Sequence, residues 1–377
     1  MIRPTSSPGT TVPDDRDGRD VARAAAEKHR KPALARTLQP KRMGAYRGFA
    51  ELLDAIERLG ERGARVRQIG ASVRGEPLFA VHVGDPSPSA RTAVVLAGVH
   101  PIEWIGIESG LALLDRLASA DLGDRAVIAF PIVNPDGLLK VEESLRTGRR
   151  TFVRHNEHGV DLNRNFDAHW DDRGLLQRIA PWVFSRGAAP ASEPEVAAIG
   201  FELSNRRVDR AVSLHSFGGA VLFPPAHTVW PIPDYAEHRA WARRVAAAVR
   251  PKPYAAQPCS WWSKGLTHAG LELDWFHERH GALSLLVECE GGPSLSLSRL
   301  TQPFAWYNPL EANDVASRVA EALFPFVTGA PPSTTGAPSS TTGAPSSTSG
   351  APSPATGTLS SATGTPSPAT GAPRATG

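Results

Sequence analysis

The apolar positions Phe49, Leu52, Leu53, Ile56 and Leu59 recur three and four residues apart, which predicts an amphipathic helix near the start of the patterned region. The next stretch, RVRQIGASVRGEPLFAVHVGD, reads as two strands around a glycine-containing turn. Beyond it the apolar runs TAVVLAGV, RAVIAFPIV, RAVSL and ALSLLVE alternate with the helical patterns GIESGLALLDRLA, SEPEVAAIGFELSNR and EHRAWARRVAAAVR. Strands that are apolar along their whole length need cover on both sides. The order therefore predicts an α/β fold: a mixed, mostly parallel central sheet covered by helices on both faces. Ser192 and Glu195, three apart, have the spacing of a capping box for the second of those helices.

The pattern stops at both ends, which divides the chain into three. Residues 1–44 are polar and rich in Arg, Ala and Pro, with one short helix suggested near DVARAAAEKHRK, and are expected to be a flexible segment. Residues 45–327 carry the periodicity and form the expected single domain. Residues 328–377 are a drifting seven-residue Gly/Ala/Pro/Ser/Thr repeat with one charged residue, Arg374, and one large apolar residue, Leu359. Too little apolar area is available there to offset chain entropy, so disorder is expected.

Charge narrows the partners. The net charge is +3, and residues 1–45 alone carry +5, leaving the remainder slightly acidic. No basic helix with interleaved aromatics occurs, so nucleic acid is not an expected partner. The two cysteines, Cys259 and Cys289, exclude a disulfide scaffold. The first twenty residues lack an apolar core, and no run approaches 18 apolar residues. The expectation is a cytoplasmic protein with no membrane partner.

Polar residues stand where the apolar runs end: His100 after TAVVLAGV, Asn134 and Asp136 after RAVIAFPIV, His215 after RAVSL, and Glu288 at the close of ALSLLV. In an open α/β sheet, ligands bind beyond the carboxyl ends of the strands, so these residues are expected to converge. Pro101 suits a first turn, and the i, i+3 spacing puts His100 and Glu103 on one side of it. Imidazole and carboxylate are ordinary zinc ligands, and His215 is the natural third. By itself the short pattern H-x-x-E reads first as a capping histidine beside a solvated glutamate. In TFVRHNEHGVDLNRNF, two readings stand side by side: a charged surface loop, or Arg and Asn donors for a carboxylate with Asp161 orienting a metal-bound histidine. Glu288, ending an apolar strand, fits a general base facing an activated water.

The segments IGASVRGEPL, GVHPIEW, NPDG, FVRHN, GVDLNRNF, SLHS, LDW and VE, in that order, resemble the zinc metallocarboxypeptidases of the carboxypeptidase A type. The resemblance implies one Zn²⁺ ion held by His100, Glu103 and His215. It implies Glu288 as the catalytic glutamate and Arg154 as the arginine on the scissile carbonyl. Asn163 and Arg164 would grip a terminal carboxylate, and Asp161 would back the first zinc histidine. The implied activity is zinc-dependent hydrolysis of the C-terminal amide bond of a peptide. Leu266 stands where the family usually carries a tyrosine, and Phe217 replaces another, which leaves the substrate open. The alternatives are a hydrolase of peptidoglycan-type peptides or acyl-amino acids on the same fold, and a catalytically silent binding module.

Overall fold

The computed structural model describes residues 17–30, 43–150, 152–172, 174–290 and 302–329. Residues 1–16, 31–42 and the repeat from 330 onward lie outside them, and so does the expectation of disorder there. Eight strands, β1 (Arg65–Ala71), β2 (Pro77–Gly84), β3 (Arg91–Ala97), β4 (Arg125–Phe130), β5 (Arg207–Ser216), β6 (Ala220–Phe223), β7 (Ala255–Pro258) and β8 (Leu283–Cys289), form one sheet. Their order is β1-β2-β4-β3-β5-β8-β6-β7. The centre, β4-β3-β5-β8, is parallel. β1 and β2 join one side antiparallel, and on the other β6 runs antiparallel to β8 with β7 parallel to β6. The four runs read as buried strands are the four central strands.

Alternate strand residues face opposite sides, and each side has its own core. Val81, Val95, Val127, Val212 and Leu214 point to the larger one. It is covered by α2 (Phe49–Glu61), α3 (Trp104–Leu117), α4 (Pro135–Thr147), α6 (Tyr235–Ala248) and α9 (Ala312–Thr328). Ala80, Val94, Leu96, Ile128 and Phe130 point to the other, under α5 (Pro194–Leu203) and α7 (Glu272–His280). The other helices include α1 (Gly18–His29), the short α8 (Pro303–Tyr307) and the single turns Leu175–Ile179 and Cys259–Trp262. Among the described residues no helix is long and apolar enough to cross a membrane.

Three details differ from expectation. The short helix expected near DVARAAAEKHRK forms as α1, but it is docked rather than part of a flexible segment: its Ala22 and Ala26 are fully buried. Its Lys28 and His29 pair with Glu76, and its Arg23 with Glu57, so apolar and ionic contacts both dock it beside β1 and α2. The capping box at Ser192 does not form. α5 starts at Pro194 with Glu193 at its cap position, Ser192 bonds Glu193, and Glu195 accepts from Val73 N and Asn156 Nδ2. Asn134 and Asp136 do not join the other strand-end residues. Asn134 caps α4 through Gly137 N, and Asp136 accepts from Ser72 Oγ and Arg74 N in the β1–β2 turn.

Candidate metal centre and active-site cavity

The parallel register sets His215 directly beside Glu288 at the carboxyl ends of β5 and β8. β3 ends one strand away, and the chain turns after it at His100, where Glu103 N donates to His100 O at 3.1 Å. Glu103 is the cap residue of α3. Gly106, in the first turn of that helix, lies against β5, and a Cβ there would stand 2.5 Å from Leu214 O. The absence of a side chain lets α3 seat Glu103 against His215.

The result is a triangle of donor atoms. His100 Nδ1 is 2.9 Å from Glu103 Oε1, His215 Nδ1 is 2.8 Å from Glu103 Oε2, and the two Nδ1 atoms are 3.1 Å apart. His100 Nε2 lies 3.0 Å from Asp161 Oδ1, and His215 Nε2 lies 2.8 Å from Glu272 Oε1. Carboxylates only accept, so each Nε2 carries a proton, and once the proton that His215 shares with Glu103 is displaced both Nδ1 lone pairs would face the point shared with Glu103. Three acceptors pointing at one place fit a cation. A tetrahedral zinc site with bonds of ~2.1 Å has edges of ~3.4 Å, so the three groups would move apart by roughly half an ångström or less to take the ion.

The electrostatics agree. Burial would raise the Glu103 carboxyl, but His100 and His215 outweigh it and hold the group well below the ordinary carboxylate range. Burial would lower the His215 imidazole, but Glu103 and then Glu272 push it up to about 10. For Glu288 burial and the Glu103 charge act together, against His215 and Arg154, and raise the carboxyl to about 8. A base so near neutrality suits proton transfer.

Asp161 is fully buried and accepts from three donors: His100 Nε2, Arg154 Nε at 2.8 Å and Asn163 N at 3.1 Å. Arg154 and Arg164 outweigh the burial that would raise it and keep it ionised. Asn163 and Arg164 sit on the short 3₁₀ turn Leu162–Arg164 that Asp161 caps. Gly270, at φ +75°, lies so close to this turn that a Cβ would meet Arg164 O at 2.2 Å. Arg164 donates to Asn163 O and through Nη2 to His268 Nδ1 at 3.1 Å, while its buried Nε has no partner.

His100, Glu103, Arg154, Asn163, Arg164, His215 and Glu288 all line one cavity of about 240 Å³, and Asp161 stands behind His100. Asp161, Asn163 and Arg164 are thus buried rather than part of a charged surface loop. Apart from Trp262, one of two tryptophans that the sequence around Leu266 offers for the pocket, the other wall residues carried no sequence signal. Leu222, Leu271, Leu286 and Cys259 form an apolar side, and Trp262, His268, Phe184 and Tyr307 complete the wall. Leu273, beside them in sequence, is fully buried in the small core with Ala220 and Leu286. Leu266 is not part of the wall, and the phenol that is, Tyr307, comes from α8 and packs edge-on against Phe217. Both cysteines are free and buried.

Two further histidine clusters lack a metal-binding geometry. The rings of His169 and His227 are stacked 3.5 Å apart at 16°, so no nearby point lies in both ring planes. His238 Nε2 accepts from Ser284 N, which leaves its Nδ1 protonated toward Asp234.

Residues 49–296 match the family of zinc carboxypeptidases, so the chain belongs to that family. Rat carboxypeptidase A1 is 27% identical over 196 residues, 48% of this chain and 46% of its own. Mouse carboxypeptidase A6 is 28% identical over 201 residues, 49% of this chain and 46% of its own. The chain spans about half the length of the curated relatives it matches. Among solved structures, bovine thrombin-activatable fibrinolysis inhibitor, in complex with tick carboxypeptidase inhibitor, shares the fold with TM-score 0.61 and 22% identity over 75% of this chain and 97% of that one. Carboxypeptidase A from Helicoverpa armigera does so with TM-score 0.55 and 19% identity over 81% and 80%.

Proposed function

We propose that the protein is a zinc-dependent carboxypeptidase that hydrolyses the C-terminal amide bond of a peptide. The observation that carries this reading is the convergence of His100 Nδ1, His215 Nδ1 and Glu103 on one point, with Glu288 beside His215 in the same cavity. His100, Glu103 and His215 would hold one zinc ion, which when bound supplies Lewis acidity to a water and to the scissile carbonyl. Glu288 takes the proton of the attacking water on its carboxylate and passes it to the departing amide nitrogen, so the carboxylate is restored each cycle. Arg154, held by Asp161 at the cavity wall, donates to the carbonyl oxygen as negative charge develops there. Asn163 spends its carbonyl oxygen on Glu272 N and keeps its amide N–H groups for substrate. Together with Arg164 it offers a fork of donors to a terminal carboxylate.

Glu288→Gln tests the assignment. Zinc content should stay at the wild-type level while peptide hydrolysis falls by at least ~10²–10⁴-fold, the range of a general base. Undiminished hydrolysis by this variant would remove Glu288 from the mechanism.

A further inference from the structure

Glu272 is the one fully buried carboxylate of this region to which no role has been given. It is the first residue of α7 and has no solvent exposure. Its backbone N–H donates to Asn163 Oδ1 at 3.2 Å, which ties the start of the helix to the 162–164 turn. One carboxylate oxygen meets His215 Nε2 at 2.8 Å, and the other is buried with no hydrogen-bond partner.

We propose that Glu272 is a positioning residue of the metal centre, holding His215 by Nε2–H as Asp161 holds His100, so that both imidazole ligands are backed by buried carboxylates. This rests on the zinc reading above. A carboxylate partner fixes the tautomer, orients the ring and makes the imidazole a stronger ligand. The two carboxylates differ in what neutralises them. Asp161 has the guanidinium of Arg154 as well as His100. Glu272 has no Arg or Lys bonded to it among the described residues, and its one side-chain donor is His215. A carboxylate in so dry a place is costly without opposite charge; Arg164 supplies part of it through space, and the hydrogen-bonded route runs through the His215 ring. Glu272 therefore favours a cation at the three-donor site.

A purely structural role is the competing explanation, since an acidic residue in the first turn of a helix favours that helix. Glu272→Gln separates the two. The amide oxygen can still accept from His215, and the amide N–H₂ takes the place of the unpartnered oxygen, so shape is kept and only the charge is lost. Zinc affinity, read by competition with a chromophoric chelator, should fall about 10–100-fold. Thermal unfolding of the chelator-treated protein should be unchanged or slightly raised. Equal zinc affinity in variant and wild type overturns the proposal, with or without a loss of stability in the treated protein. Wild type that takes up no zinc refutes the zinc reading itself, so the two failures are distinct. A measurement on the wild type covers a variant that fails to fold. Its zinc form should show two strongly downfield imidazole N–H resonances, one per carboxylate-bound histidine, and a single one overturns the proposal.

Discussion

Zinc uptake at this site should displace a proton, and the structure says from where. Glu103 and Glu272 hold the His215 imidazole up to about 10 against the burial that lowers it. At pH 7 its proton then sits about three pK units below its midpoint. Displacing it costs about 4 kcal/mol, at ~1.4 kcal/mol per unit. Glu103 is held far below the carboxylate range and has no proton to release at that pH. Apparent zinc affinity should therefore rise about 10-fold for each pH unit between pH 6 and 8, near 100-fold over the interval. Glu288, raised to about 8, adds to the slope as the metal neutralises Glu103 beside it, and Glu288→Gln should bring the slope back toward one. The same proton acts in reverse on the chelator-treated protein. A histidine whose folded pKa is raised contributes stability that is complete below its unfolded value near 6.5 and is lost as pH rises toward 10. Treated protein should thus become less stable over that range while its zinc affinity increases. Competition titrations at pH 6, 7 and 8, with calorimetry in buffers of different ionisation enthalpy to count protons, measure both. A pH-independent affinity with no proton released would refute the electrostatic account of His215.

Two other outcomes follow from the cavity wall. Asp161→Ala leaves His100 and Arg154 buried without their shared acceptor and should cost about 3–5 kcal/mol in denaturant unfolding, as for other buried ion pairs broken on one side. In the wild type, Asp161 contributes stability that is full above the unfolded aspartate value of ~3.9 and fades as pH falls toward its depressed folded pKa, so an acid titration of unfolding should show a smaller decline in this variant. Arg164→Ala removes the guanidinium from the donor fork. It should raise KM for peptides with a free terminal carboxylate by roughly 10-fold or more while barely changing turnover of amidated ones, and equal losses on both would remove Arg164 from carboxylate recognition.

Much of this protein is legible along the chain because its signals are local. A fully apolar strand followed by an amphipathic helix is a short-range pattern, and the four central strands stand where that pattern puts them. The turn that makes His100 and Glu103 neighbours is equally local, since Pro101 and a three-residue spacing suffice to build it. Ser192 and Glu195 show the limit of such reasoning. The spacing is that of a capping box, but Asn156 and the β1–β2 turn take the Glu195 carboxylate while Glu193 and Asn165 take the Ser192 hydroxyl. Asn134 and Asp136 likewise end a central strand, yet are consumed by a helix cap and a backbone turn.

Sequence alone thus determined the elements, the carboxyl-end placement of His100, His215 and Glu288, and a donor set whose chemistry fits zinc. Only the tertiary structure decided which distant groups complete that set. Glu272 reads as one more charge before LDW until α7 carries it under His215, and Tyr307 is an ordinary helix residue until α8 sets it in the cavity wall. The physical reason is the same for both. Periodicity reports which face of an element is buried, whereas the partner of a buried polar group is set by sheet order and by close approaches such as Gly106 on β5 and Gly270 on the 162–164 turn, contacts between segments that share no local pattern.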